Sequence, residues 1–271
     1  MSKISPDDDV ERFARGAKIS VVHIYLKRIV AVSRITLGRG LRHVPGLCRT
    51  IRVASPFHGT RFIIKSDDTG SIVLTADHVV RGMRIAAGDR LYVRVGVGGQ
   101  HRVRQLRALV LCQHREADVA ILAVPALRNA QRLQFAAGIG NAGVIAVGYA
   151  DPDDLFTGIE AMKRDPDLSP GCFIRQEGGF VFDEVHVSHY HLDLESARGM
   201  SGCPIVNGAG VIGLGVIKDG AYTNAVSNDT LCEVMKGYYR DQLRKSVHMV
   251  TDEEVDAIVN PMTIQEVADE L

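Results

Sequence analysis

The sequence predicts an all-β fold closed by C-terminal helices. Three observations lead there. Short apolar runs alternate with turn residues over most of the 271 residues, glycine is high at 27, and helical spacing is confined to the C-terminal region. The length suits one large domain or two small ones with a sizeable core. Hydrophobic residues at 46% and charged residues at 24% exclude a disordered or fibrous chain.

The elements follow in order. Met1 to Arg15 is polar and has no apolar signal core. Ile19–Leu26 reads as a strand. Phe62–Lys65 and Ser71–Thr75 flank Ser66-Asp67-Asp68-Thr69-Gly70, a hairpin signal. Leu91–Val97, Arg102–Leu111, Val119–Val124 and Val144–Tyr149 follow as strands. Phe180–Val187, Pro204–Val206 and Val211–Ile217 continue the series. Many short strands at this spacing predict a sandwich or barrel. Asp229–Lys245 then has helical spacing, with Leu231, Val234, Met235 and Tyr238 on one side. Thr251-Asp252-Glu253-Glu254 and Thr263-Ile264-Gln265-Glu266 fit the capping box, so two short helices are expected after Val250.

Charge narrows the partners. Lys+Arg and Asp+Glu are both 32, which gives no reason to expect nucleic acid or a membrane. The charge is nonetheless uneven. Arg12 to Lys65 holds twelve basic residues and no acidic one; Ser246 to Leu271 holds seven acidic residues and no Lys or Arg. The acidic tail is therefore expected to pack near the basic N-terminal region, with Val255, Ile258, Ile264 and Val267 as its apolar face. The apolar stretch Ile19–Val32 is broken by His23, Lys27 and Arg28 and is too short to span a bilayer. Cys48, Cys112, Cys172, Cys203 and Cys232 are odd in number and widely spaced, against a disulfide framework or zinc ribbon. A reduced, cytoplasmic protein is the expectation. Residues 27–50 make a longer connection than a tight hairpin needs, which suggests a functional or self-cleavable loop.

Three segments carry chemistry. His78 lies just past the buried-looking strand Ser71–Thr75. Asp118 heads the apolar strand Val119–Val124. Ser201 lies in the glycine turn Gly199-Met200-Ser201-Gly202-Cys203-Pro204. A serine hydroxyl is a weak nucleophile and needs a base within hydrogen-bond reach. Imidazole suits that role near neutral pH. The imidazole needs a carboxylate to hold its tautomer. A developing oxyanion needs fixed donors, which a glycine-bracketed turn can supply from its backbone.

These segments resemble the His, Asp and Ser motifs of chymotrypsin-like serine peptidases. The likeness is closest to the bacterial branch that includes the high-temperature-requirement proteases and the staphylococcal glutamyl endopeptidases. Gly59-Thr60-Arg61-Phe62-Ile63-Ile64 resembles the strand before the histidine motif, and Asp118-Val119-Ala120-Ile121-Leu122 the aspartate motif. Leu192-Asp193 and Gly199 to Pro204 resemble the glutamyl endopeptidase approach to its serine. Val211–Val216 resembles the substrate-binding strand after it, and Thr223–Ser227 the closing strand. The resemblance runs from Ile19 to Lys245.

It implies two Greek-key, six-stranded β-barrels with a C-terminal helix and a short helical tail. The organisation implied is a polar segment over 1–17, a first barrel over 18–135 with His78 and Asp118, a second over 136–228 with Ser201, and helices with the acidic tail over 229–271. It implies a serine endopeptidase of protein or peptide substrates, with His78 as base, Asp118 as orienting carboxylate and Ser201 as nucleophile. The backbone N–H groups of Gly199 and Ser201 would form the oxyanion hole. No metal or organic cofactor is implied.

This chain departs from the pattern at four places. Asp77 stands where alanine is usual, and if buried it would raise the His78 pKa or compete with Asp118. Arg61 replaces a glycine. Cys203 replaces a glycine or serine. Met200 stands where trypsin-type enzymes carry the aspartate that pairs with a freshly cut N-terminus, so that switch is absent. For the pocket, Glu195 would favour Lys or Arg before the scissile bond. Arg198 or His191 would favour an acidic residue there, and Gly213 and Gly215 permit a bulky apolar one. His186, His189 and His191 with Asp193 could hold a metal or edge the pocket. Two other functions stay open: a non-hydrolytic peptide-binding module, and a nucleic-acid or anionic-surface binder using Arg12–Lys65.

Overall fold

The computed structural model describes residues 8–32, 49–83, 90–97, 100–139, 143–150, 165–182, 185–219, 222–246 and 251–271. Six strands form the first barrel: β1 (Val21–Val32), β2 (Arg49–Ser66), β3 (Ser71–Ala76), β4 (Arg90–Val97), β5 (Gln100–His114) and β6 (Val119–Val124). They close in the order β1-β2-β3-β6-β5-β4. The second barrel uses β7 (Val144–Gly148), β8 (Asp167–Glu177), β11 (His189–Leu194), β12 (Pro204–Asn207), β13 (Gly210–Asp219) and β14 (Tyr222–Ser227). Its closed order is β11-β14-β13-β12-β7-β8. Counting its six strands in chain order gives the same cyclic order as the first barrel, so one topology is used twice. The two-residue strands β9 (Val181–Phe182) and β10 (Val185–His186) pair as a separate hairpin.

The strands form where the sequence can bury a face. In β6, Val-Ala-Ile-Leu-Ala-Val is apolar throughout, and Val119 to Leu122 are fully buried. Phe62, Ile63, Ile64, Val73 and Leu74 complete that wall. A second cluster gathers Val144, Ala146, Tyr190, Leu192, Ile205 and Ile212 inside the other barrel. Arg61, the departure noted above, is fully buried and donates to the carbonyls of His23 and Tyr92.

Helices finish the molecule. α1 (Asp8–Ala17) is no bare polar arm: it buries Val10, Ala14 and Ala17 and packs on β7 and β12. α2 (Asp77–Gly82) is a short helix after β3. α3 (Asn228–Ser246) covers the expected helical stretch. α4 (Asp252–Val259) and α5 (Ile264–Glu270) both carry the expected capping boxes, from Thr251 and Thr263. Their buried residues are Val255, Val259, Val267 and Ala268, whereas Ile258 is 55% exposed. The pair 255/259 has the four-residue spacing that faces α3, and position 258 falls outside it.

The tail's charge partners differ from the expectation. Asp256 meets Arg240 at 2.9 Å and Asp252 meets Arg244 at 2.8 Å, both on α3. Asp269 pairs with Arg132. Among the described residues, no tail carboxylate pairs with the Arg12–Lys65 stretch, although α5 does touch β2. Arg12 and Arg15 pair instead within α1, with Asp9 and Glu11. In the 27–50 connection, the β1–β2 ladder runs to Val32↔Arg49, and residues 33–48 lie outside the described residues. Cys112, Cys172, Cys203 and Cys232 are free thiols, while Cys48 lies outside the described residues. No described helix is long and apolar enough to cross a membrane.

Candidate active site

His78 sits in the first turn of α2, immediately after β3. Its backbone N–H donates to Asp118 Oδ1 at 2.7 Å, and its Nδ1 meets Asp118 Oδ2 at 2.6 Å. One carboxylate thus fixes both the main chain and the ring of the same histidine. The two side chains are 31% and 17% exposed, so the pair is partly shielded yet still reachable from solvent. Asp118 adopts φ 54°, the left-handed region that short polar side chains tolerate best. Its N–H closes on Arg115 O at 3.2 Å, and its carbonyl accepts the Asp77 N–H at 3.1 Å. Strain held by such bonds is common at functional positions.

Asp77 is fully buried, and its carboxylate is already occupied. Gln113 Nε2 donates to its Oδ1 at 2.7 Å, and Arg81, one turn along α2, pairs with Oδ2. Arg81 also lies 3.9 Å from Asp118 Oδ1. Asp77 therefore does not touch the imidazole. It anchors an arginine beside the carboxylate that does. The Asp77–Arg81 spacing of four was legible as a helical ion pair; Gln113 carried no signal.

Ser201 lies on the turn between β11 and β12. Gly199 has φ 91° and Met200 N donates to Ala197 O at 3.1 Å. That is the pattern of a type II turn with glycine third. Gly202 has φ 85°, and a Cβ there would meet Thr60 O at 2.2 Å. Among the described residues, the N–H groups of Gly199 and Ser201 have no acceptor. The Ser201 hydroxyl donates to Val216 O at 2.8 Å, and no described bond joins it to His78.

Thr60 ties this turn to the first barrel. Its N–H donates to Ser201 O at 2.9 Å and its Oγ1 to Gly199 O at 2.9 Å. Tyr149 N donates to the same Oγ1 at 2.9 Å, and Thr75 Oγ1 donates to Thr60 O at 2.8 Å. The sequence had marked Thr60 only as part of a motif.

A cavity of about 280 Å³ adjoins Ser201. Gly215 and Arg198 line it; Glu195, Gly213 and His191 do not. Glu195 is exposed, and its carbonyl takes the Ser169 hydroxyl. Gly213 packs near Tyr190. Met200, 4% exposed, forms part of the wall. His191 Nε2 meets Glu177 at 2.9 Å, and this bond holds the Glu177 carboxyl below its ordinary range. Burial holds the His189 pKa below the ordinary imidazole value, partly offset by Asp118. Among the described residues, no cluster of three or more His, Cys, Asp or Glu is arranged to hold a metal.

Paired barrels of one topology, with polar groups gathered where they meet, are the architecture of chymotrypsin-like proteins. The chain belongs to the trypsin-like peptidase domain family, which it matches over residues 59–214. Solved structures share the fold. Rv3671c from M. tuberculosis H37Rv, as an inactive serine-to-alanine mutant, is 21% identical with a TM-score of 0.57, covering 89% of this chain and 98% of that one. The HtrA-type protease AlgW with a decapeptide is 16% identical with a TM-score of 0.59, covering 94% and 75%. The active form of the Rv3671c protease is 20% identical with a TM-score of 0.55, covering 87% and 88%. No curated protein matches the chain.

Proposed function

We propose that the protein is a serine endopeptidase acting through Ser201, His78 and Asp118. The observation that carries this is the doubly bonded His78–Asp118 pair, taken with a serine on a glycine turn that borders a cavity. Asp118 accepts the Nδ1 proton and so leaves Nε2 as the basic nitrogen. Ser201 Oγ turns from Val216 O to Nε2, loses its proton there and attacks the substrate carbonyl. The N–H groups of Gly199 and Ser201, which have no acceptor among the described residues, take the oxyanion. The imidazolium then protonates the leaving amine, and water, deprotonated by His78, hydrolyses the acyl-enzyme. The decapeptide in the AlgW structure supports a peptide as the substrate class.

A fluorophosphonate probe tests this. It should label the wild type on Ser201 and fail on Ser201→Ala. Persistent labelling of the variant, or none of the wild type, rejects the assignment. A second reading, a peptide-binding module without hydrolysis, is favoured by the Ser201–Val216 bond. Peptide binding without labelling or cleavage would establish it.

A further inference from the structure

We propose that the cavity beside Ser201 takes a large apolar side chain, that of the residue preceding the scissile bond, and that Gly215 and Cys203 set its depth. The proposal rests on the peptidase reading and names its substrate class.

Size comes first. The cavity holds about 280 Å³. An apolar cavity of about 150 Å³ already accepts benzene. A phenyl ring or a long aliphatic chain therefore fits, and alanine would leave most of the space empty. The room exists because position 215 has no side chain. A Cβ built on Gly215 would stand 2.8 Å from Cys203 Sγ. Any larger residue there would fill the space a substrate needs or push the thiol aside.

The lining decides the chemistry. Ala146, Leu194, Met200 and Val216 supply apolar walls. Cys203 is 3% exposed, and burial pushes its thiol pKa up to about 12, so it stays neutral and acts as a small hydrophobe. The Thr223 hydroxyl is engaged, donating to Leu194 O at 3.1 Å. Among the described lining residues there is no carboxylate. A lysine or arginine entering the cavity would lose its hydration with no counter-charge. Arg198 is the lining cation, but it is exposed and already has an interaction partner. A glutamate would gain only a screened surface contact from it.

The experiment uses the full-length protein and one peptide series that varies only at the residue before the scissile bond: Phe, Leu, Ala, Lys and Glu. Active sites are titrated in parallel with the fluorophosphonate probe. Phe and Leu should exceed Ala in kcat/KM by about 10-fold or more. They should exceed Lys and Glu by about 30-fold or more, since an unpaired charge must be desolvated. Gly215→Val should lower the Phe-to-Ala ratio about 10-fold, and Glu195→Gln should leave the Lys-to-Phe ratio unchanged. Labelling of Ser201 together with a Lys, Glu or flat preference overturns this proposal and leaves the peptidase reading standing. An unchanged ratio in a folded, labelled Gly215→Val protein also overturns it. Neither labelling nor cleavage of any peptide overturns both.

Discussion

The Ser201 hydroxyl donates to the Val216 carbonyl at 2.8 Å, so its proton is engaged by a backbone oxygen and not by an imidazole. A neutral hydrogen bond of this kind contributes about 1 kcal/mol net. Turning the hydroxyl to His78 therefore reduces the competent population by only about fivefold. The bond also separates two effects of one mutation. Ser201→Ala should lower turnover by about 10⁴ or more, yet lower stability by only about 1 kcal/mol. Urea titration beside peptide hydrolysis measures both. A large stability loss would mean that the serine is chiefly structural.

Asp118→Asn should cost about 10⁴ in turnover. The amide can still accept the His78 N–H, so the main chain stays in place while the ring loses its carboxylate. Crystallography of the variant should find α2 unmoved. Retained activity would remove Asp118 from the proposed triad.

Asp77→Ala strips a buried carboxylate from Gln113 and Arg81. An unmade buried bond costs about 1–3 kcal/mol, with Arg81 able to hydrate because it is 42% exposed. The expected unfolding loss lies in that range. No change by urea titration would mean the network is dispensable.

His189 gives a pH dependence with a defined sign. Burial lowers its folded pKa from the ordinary 6.5, so between that value and the folded one the unfolded chain holds more protons. Its contribution is fully present above 6.5 and is lost as pH falls through the folded pKa. Stability should therefore drop as pH falls below the ordinary value of 6.5, and His189→Gln should flatten that part of the curve. Equal slopes in both proteins would assign the effect to other groups.

Removing residues 251–271 uncovers the face of α3 that Val255, Val259, Val267 and Ala268 bury against. The exposed ion pairs add little. A loss of about 2 kcal/mol corresponds to about 4–8 °C in melting temperature for a protein of this size. An unchanged melting point would show that the tail packs without stabilising.

The fold was legible wherever a strand buried an unbroken apolar run, as β3, β6 and β13 do. β8 does not: Asp167–Glu177 has no fully buried residue and contains Pro170 and Gly171, so no alternation exists to read. Phe180–Val187 misled in the opposite direction. Its apolar residues suggested one strand, but Phe180, Val181 and Phe182 are exposed on the β9–β10 hairpin. α1 hid a real period, 10/14/17, among charges. In the candidate site, His78, Asp118 and Ser201 each stood in a local motif. Gln113 and Thr60 act on partners 36 and 139 residues away, and local spacing carries no trace of such contacts.

The threonine at position 60 has a consequence for how the molecule is made and used. The serine turn belongs by covalent linkage, and by bonds to β13, to the second barrel, and Thr60 ties it to the first. A clamshell opening of the two barrels would break both bonds from Thr60 to the turn. During synthesis the histidine half emerges first, and the turn gains its two bonds from Thr60 only once the second barrel docks on it. Two separately produced halves should therefore hold the serine turn less firmly apart than mixed, because only mixing restores the two bonds from Thr60.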